Sequence, residues 1–214
     1  MSIDYIFMIL SGLPWTLALT GLALVVGIVL GFPFMFARQS QNVVVSTAMT
    51  MLFALVRGVP PIVWLFIIFF GVGNALVQVG PFVAAAIVFG VIAATNIAEI
   101  YRGGMIAIHM GQHEAAAALN FGRWHAFCDI LFPQMVRVSL PSITTYAIGL
   151  LKDSAIASTI GVLELAYQGR YVTEATYKGL TVLAIVGAIY IMVSVPIAAY
   201  ARYADAQMRR RVAR

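Results

Sequence analysis

The chain has 214 residues, 62% of them hydrophobic and 10% charged, with a net charge of +5, and a mean hydropathy of +0.97. Soluble domains carry about 25% charged residues, so a soluble enzyme is excluded and the class is an all-α integral membrane protein. The length allows roughly five or six spans of about 20 residues, and the long unbroken apolar runs lack the period-two alternation of a membrane barrel.

In chain order, the N-terminal MSIDYIF has no basic n-region and no cleavage site, so the first apolar run is expected to remain as a span. That span runs from about Leu13 to Ala37, ahead of the polar segment Arg38 to Asn42. The second covers about Ser46 to Gly73; Pro60-Pro61 breaks it into a lead-in helix and a span from Ile62 onward. A turn is expected from Gly73-Asn74 to Gly80-Pro81, then a third span from about Phe82 to Tyr101. A polar stretch follows, Gly111 to Gln134. The fourth span is about Met135 to Ile160, containing Pro141 and Gly149. Gly161 to Gly179 reads as a mixed polar loop. The last span is about Leu180 to Tyr200, closed by the tail RRRVAR. About five spans in a single domain over residues 1–214 are therefore expected.

Basic residues set the orientation. With five spans and the N-terminus outside, Arg38, Arg57, Arg102, Arg123, Arg137, Arg202, Arg209, Arg210, Arg211 and Arg214 fall on or near the cytoplasmic side. Arg170 and Lys178 lie in the outer loop and Lys152 lies within a span. The polar stretch and the C-terminus are thus expected in the cytoplasm, with Asp4, Glu164 and Glu174 outside. The net positive charge records these inner loops; nucleic acid is not implied.

The polar stretch is the most informative segment. His113 to Leu119 is rich in helix formers, with Glu114 expected in the first turn, where its charge complements the helix N-terminus. The alanines make a thin rod that can enter a groove. Asn120-Phe121-Gly122 should stop the helix, because Asn and Gly accept positive φ most readily. Arg123 to Phe127 then opens a second helix leading through Ile130, Leu131 and Pro133 into the fourth span. Two short helices with a sharp bend make a compact knob, a candidate contact with another protein; the alternative is a solvated surface loop. His109 and His113 are four apart, but no third ligand or cysteine pair joins them, so metal binding is not expected. Cys128, the single cysteine, excludes an intrachain disulfide and reads as a packing residue.

These residues carry a resemblance. Glu114-Ala115-Ala116, followed at set distance by Ile130 and Pro133, resembles the EAA loop of ABC importer permeases. RGVPPIVWLF from Arg57 to Phe66, AEIYRGGMIAIHMGQHEAA from Ala98 to Ala116, and LLKDSAIASTIGVLEL from Leu150 to Leu165 are similar, in the same order, to segments of the polar amino acid (histidine/glutamine/arginine-like) permeases of bacterial type I ABC importers. The resemblance implies the type I ABC importer permease (MetI-like) fold in the bacterial inner membrane. It implies a second permease subunit, identical or paralogous, two ATP-binding subunits and an extracytoplasmic solute-binding protein. ATP and Mg would sit on the partner ATPase, with no cofactor in this chain. Residues 105–132 would form the coupling loop, with Glu114, Ala115, Ala116, Asn120 and Gly122 as its coupling residues. Six positions depart from the family pattern. Asn120 stands where the family usually has Gly, Val59 and Trp64 where Thr and Gln are common, and Ser154-Ala155-Ile156 where Thr-Ser-Leu follows Lys-Asp. Trp64 and Val59 are expected to line or flank the pathway.

Charges within a bilayer cost at least about 2.5–3.5 kcal/mol and are functional candidates. An amino acid zwitterion needs acceptors for its ammonium, which Glu99, Asp153 and Ser154 can supply. It needs the opposite sign for its carboxylate, which Lys152, Arg57 or a broken helix end near Pro60 can supply. Two alternatives stay open: Glu99 pairs with Arg102, and Lys152 and Asp153 balance charges elsewhere in the bundle. The loop tyrosines, Tyr167, Tyr171 and Tyr177, read either as interfacial anchors or as a docking surface for the binding protein. The chain is not expected to be an enzyme: it has no G-x-x-x-x-G-K-[ST] loop, no histidine lies inside a span, and the Lys152–Ser154 pair lacks the flanking glycine turn a serine nucleophile needs. A stand-alone carrier or channel is the rival reading, but no internal repeat supports it.

Overall fold

The computed structural model describes residues 3–72 and 78–212; the rest of the predicted 73–81 turn and Arg214 lie outside the described residues. A short helix α1 (Ile3–Leu10), which the sequence reading did not include, precedes α2 (Leu13–Arg38), whose bounds match the expected first span. Helix α3 (Val43–Gly58) begins at Asn42, whose side chain accepts from the amides of Val44 and Val45. Helix α4 (Pro61–Phe66) continues as a π-helical stretch, Ile67–Val72, after a 98° bend at Pro60. Helix α5 (Pro81–Ile106) runs past its expected end at Tyr101.

Helix α6 (Met110–Ala118) and the short α7 (Arg123–His125) form the knob, and a π-helical stretch, Ala126–Leu131, leads into α8 (Phe132–Asp153). A 3-10 segment, Ser154–Ile160, extends α8. The segment expected as a polar loop is mostly a helix, α9 (Leu165–Thr176), and α10 (Gly179–Val212) closes the chain. Among the described residues, three helices are long and apolar enough to cross a membrane, and up to five spans result if each bent pair counts as one.

The bundle is organised around α2 against α5. The buried positions of α2 include Ala23, Gly27, Gly31 and Met35, spaced four apart on one stripe. A Cβ at Gly27 would lie 2.7 Å from that of Ala93, and one at Gly31 would lie 3.1 Å from the backbone nitrogen of Ala98. In return, a Cβ on Gly90 of α5 would lie 2.9 Å from Val26. Small residues let the two backbones approach, which is how helices gain packing energy where lipid removes the hydrophobic drive between them. Around this seam, Leu19, Leu65, Val88, Phe89 and Leu150 form the central core.

One end of α2 is fixed by a buried carboxylate. Glu164, expected outside as part of a polar loop, is fully buried. It caps α9 by accepting from the Tyr167 amide at 2.7 Å, and it accepts from the Tyr190 hydroxyl of α10 at 2.6 Å. The Leu165 amide donates to Thr16 Oγ1 at 3.1 Å, and a Cβ on Gly12 would lie 2.6 Å from the Glu164 carbonyl carbon. The start of α2, the cap of α9 and the middle of α10 thus meet at one polar knot whose groups satisfy one another. Tyr190→Phe removes one donor and leaves a buried carboxylate oxygen short of a partner, at a cost of about 1–3 kcal/mol. Thermal unfolding of the detergent-solubilised protein should show a lowered midpoint; an unchanged one would contradict this role.

Candidate functional site

The knob is assembled from local rules. His109 caps α6: its Nδ1 accepts from the Gly111 amide at 3.1 Å. The helix therefore starts at Met110, and Glu114 lies in its middle, not in the first turn as expected. At the other end, Asn120 has φ 57°. The Phe121 amide donates to the Ala116 carbonyl and the Asn120 amide to the Ala117 carbonyl, both at 3.0 Å. These two bonds are the Schellman closure of a helix, satisfying carbonyls left without partners at a C-terminus. Asn120 alone supplies the left-handed residue. Gly122, expected to share the bend, has φ −61° and starts α7.

Two contacts root the knob in the bundle. Gln134 Nε2 donates to Gln112 Oε1 at 3.2 Å and to the Ile130 carbonyl at 2.9 Å. Phe127 lies 5.3 Å from the Phe36 ring and 5.9 Å from that of Phe132, joining the returning chain to α2 and α8. Ala116 is buried at the inner side of α6, while Glu114, Ala115, Asn120 and Gly122 are exposed. Exposed apolar groups crown the tip: Leu119 and Trp124 at 71% and 69% exposure, with Phe121 beside them. On a polar protrusion such a crown marks a contact surface.

The intramembrane candidates fall into separate places. Glu99 Oε1 pairs with Arg38 of α2, and its Oε2 accepts from Arg102 Nε and Nη2 at 3.1 and 3.0 Å. The pairing alternative with Arg102 is what the geometry contains, and Arg38 is an addition the sequence did not suggest. Lys152 and Asp153 are exposed at the end of α8, whereas Ser154 is buried, its Oγ donating to the Leu151 carbonyl at 2.8 Å. Tyr146 is brought near the side chain of Asn96, whose Nδ2 donates to the Ile92 carbonyl at 2.8 Å, and lies within electrostatic reach of Asp153 and Arg57. Asn96 and Tyr146 were missed because each stands alone inside an apolar run; only their meeting across α5 and α8 makes them a polar pair. Arg57 also lies within electrostatic reach of Arg38.

Trp64 and Val59 sit at the bend. Pro60 has no amide hydrogen to give the Val56 carbonyl, and the Trp64 indole N–H donates to that oxygen at 3.2 Å. The indole therefore stitches the break. It also borders an apolar cavity of about 230 Å³ with Leu52, Val56, Ile68, Val88 and Ile92. Val59 is half-buried in the extended link.

Residues 23–210 match the binding-protein-dependent transport system inner membrane components. The chain is 30% identical over 196 residues to the nopaline transport system permease protein of Agrobacterium fabrum, covering 87% of this chain and 81% of that one. It is 28% identical over 204 residues to the glutamine transport system permease protein of Escherichia coli K12, covering 94% and 93%. A crystal structure of an amino acid ABC transporter with histidines superposes with a TM-score of 0.90 at 27% identity, over 96% of both chains. The chain belongs to the binding-protein-dependent transport system inner membrane components, and within them to the amino acid ABC transporter permeases.

Proposed function

We propose that this chain forms half of the translocation pathway of an ATP-driven importer of polar amino acids or related small zwitterionic solutes, and that its knob couples it to the ATPase. The chain is the inner-membrane permease component of an ABC amino acid importer and is not itself the ATPase. Relatives named for glutamine and nopaline transport support a polar, zwitterionic cargo. The working assembly pairs this chain with a second permease, identical or paralogous, two ATP-binding subunits that hold ATP and Mg, and an extracytoplasmic solute-binding protein. The N-terminus lies outside and the C-terminus in the cytoplasm, in keeping with the basic loops and tail.

One observation carries the coupling role: an exposed apolar crown on a protrusion whose helix is closed by the left-handed Asn120. Ala115 offers the cleaner test, because Ala116 is buried within the knob and a larger residue there would disturb the fold first. Ala115→Trp should assemble normally yet lose uptake while ATP hydrolysis continues, measured in proteoliposomes of the full complex. Uptake at the parental rate would count against a groove-fitting helix.

For the cargo, Asp153 with Tyr146 and Asn96 supplies acceptors for an ammonium, and Arg57 and Lys152 supply the sign a carboxylate needs. Losing one charge-assisted contact of about 1.5–3 kcal/mol should weaken substrate engagement about tenfold or more. Asp153→Asn is accordingly expected to raise the substrate concentration for half-maximal uptake, read in a complex stripped of its binding protein's limit by saturating that protein. An unaltered concentration dependence would remove Asp153 from the pathway.

A further inference from the structure

Glu99 does not have the surroundings of a group waiting for a ligand. Both of its oxygens are engaged, one by Arg38 and the other by two nitrogens of Arg102. Its side chain is 18% exposed, and those of Arg38 and Arg102 are 26% and 38% exposed. Arg38 is the last residue of α2, and its guanidinium also stacks on the Phe53 ring of α3, 5.1 Å from the centroid. One carboxylate on α5 therefore gathers α2, α3 and α5.

The position of this group along the chain gives it meaning. Seven residues beyond Glu99, α5 ends at Ile106, and the knob starts at Met110. Between them, Gly104 packs so closely on α8 that a Cβ would clash with Ser139 Oγ. Movement of the knob thus reaches α8 through the Gly104 contact and the Gln112–Gln134 bond. Helices α2 and α3 have the Phe36–Phe127 ring contact and the Glu99 group. Of these, the charged group alone takes in α3, which leads on to the Pro60 bend and the Trp64 cavity. Arg57 lies within electrostatic reach of Arg38, so without the Glu99 carboxylate the three arginines Arg38, Arg57 and Arg102 would repel one another and splay α2 and α3 from α5.

We infer that Glu99 is a positioning residue, a clasp that carries displacement of the coupling knob into the α2–α3 arm, and not a substrate contact. The inference rests on the coupling role proposed above for the knob. A neutral but similarly shaped residue should loosen transmission while leaving substrate recognition intact.

The test uses the full importer in proteoliposomes with its ATPase subunits and loaded binding protein. Glu99→Gln should lower maximal uptake about tenfold, within the range by which residues along coupling networks act. The concentration for half-maximal uptake should stay within about twofold, the signature of a lost transmission step rather than lost binding. ATP hydrolysis should persist but lose its stimulation by loaded binding protein. Arg38→Gln should do the same, and the double variant should be no worse than either alone, because the two act as one unit. If Glu99→Gln fails to assemble, Phe53→Leu, which keeps every charge and a buried apolar side chain while removing the ring under Arg38 and its contact with Phe34, should give a milder fall of about threefold of the same kind. A shift in half-maximal concentration with unchanged maximal uptake would make Glu99 a substrate contact and overturn the proposal, as would additive losses or no loss. An unmodified complex that neither hydrolyses ATP nor imports would instead bring down the importer reading, which keeps the two failures apart.

Discussion

The close approach of α2 and α5 is the constraint on which the other features depend. Gly27 and Gly31 leave room for Ala93, Ile97 and Ala98, so the two long helices lie backbone to backbone along most of their length. A rigid pair of this kind fixes what stands at its ends. At one end, the turn before α2 packs on Glu164, whose carboxylate accepts from Tyr190, while Thr16 accepts from the Leu165 amide. At the other, Arg38 meets Glu99. Each end thus places a buried or half-buried carboxylate at the junction of several elements. In a medium that offers no water, a carboxylate persists only where its donors are held in position.

The remaining helices attach to this spine with different tightness. Helix α8 is held near the knob by the Gly104–Ser139 approach, and further along by the burial of Ile143, Leu150 and Leu151. The α3–α4 segment is broken at Pro60 and held in its bent shape by the Trp64 indole. Proline breaks and π-helical stretches, here at Ile67–Val72 and Ala126–Leu131, mark where helices adjust at functional sites. The first contributes Ile68 to the Trp64 cavity, and the second leads from the knob into α8.

Much of this was legible in the sequence because hydropathy and Pro/Gly punctuation act locally. The long spans, the break at Pro60-Pro61 and the helix stop at Asn120 all follow from residues within a few positions. The start of the knob did not, because the cap is a histidine accepting through Nδ1, and His109 reads as loop chemistry rather than as a cap. The burial of Glu164 did not either: Thr16, whose hydroxyl accepts from the next residue's amide, is 149 positions from Leu165. A glutamate among tyrosines and threonines reads as an exposed loop until the fold brings Gly12 onto its backbone. Arg38 as a partner of Glu99 was likewise invisible, since the two belong to different spans. Ser154 offered a hydroxyl in a promising motif, but that hydroxyl is buried and donates to the Leu151 carbonyl of the preceding turn.

The central claim is that the knob formed by α6 and α7 sits in a groove of the motor subunit and moves with it. It is tested most directly by cross-linking in membrane vesicles, with Cys128 replaced by Ser, a single cysteine placed at exposed Ala115 and a short photoactivatable probe attached. The account predicts a single major adduct with the ATP-binding subunit, whose yield changes when ATP is bound. Adducts confined to lipid or to the extracytoplasmic binding protein, or an ATPase adduct indifferent to nucleotide, would contradict it.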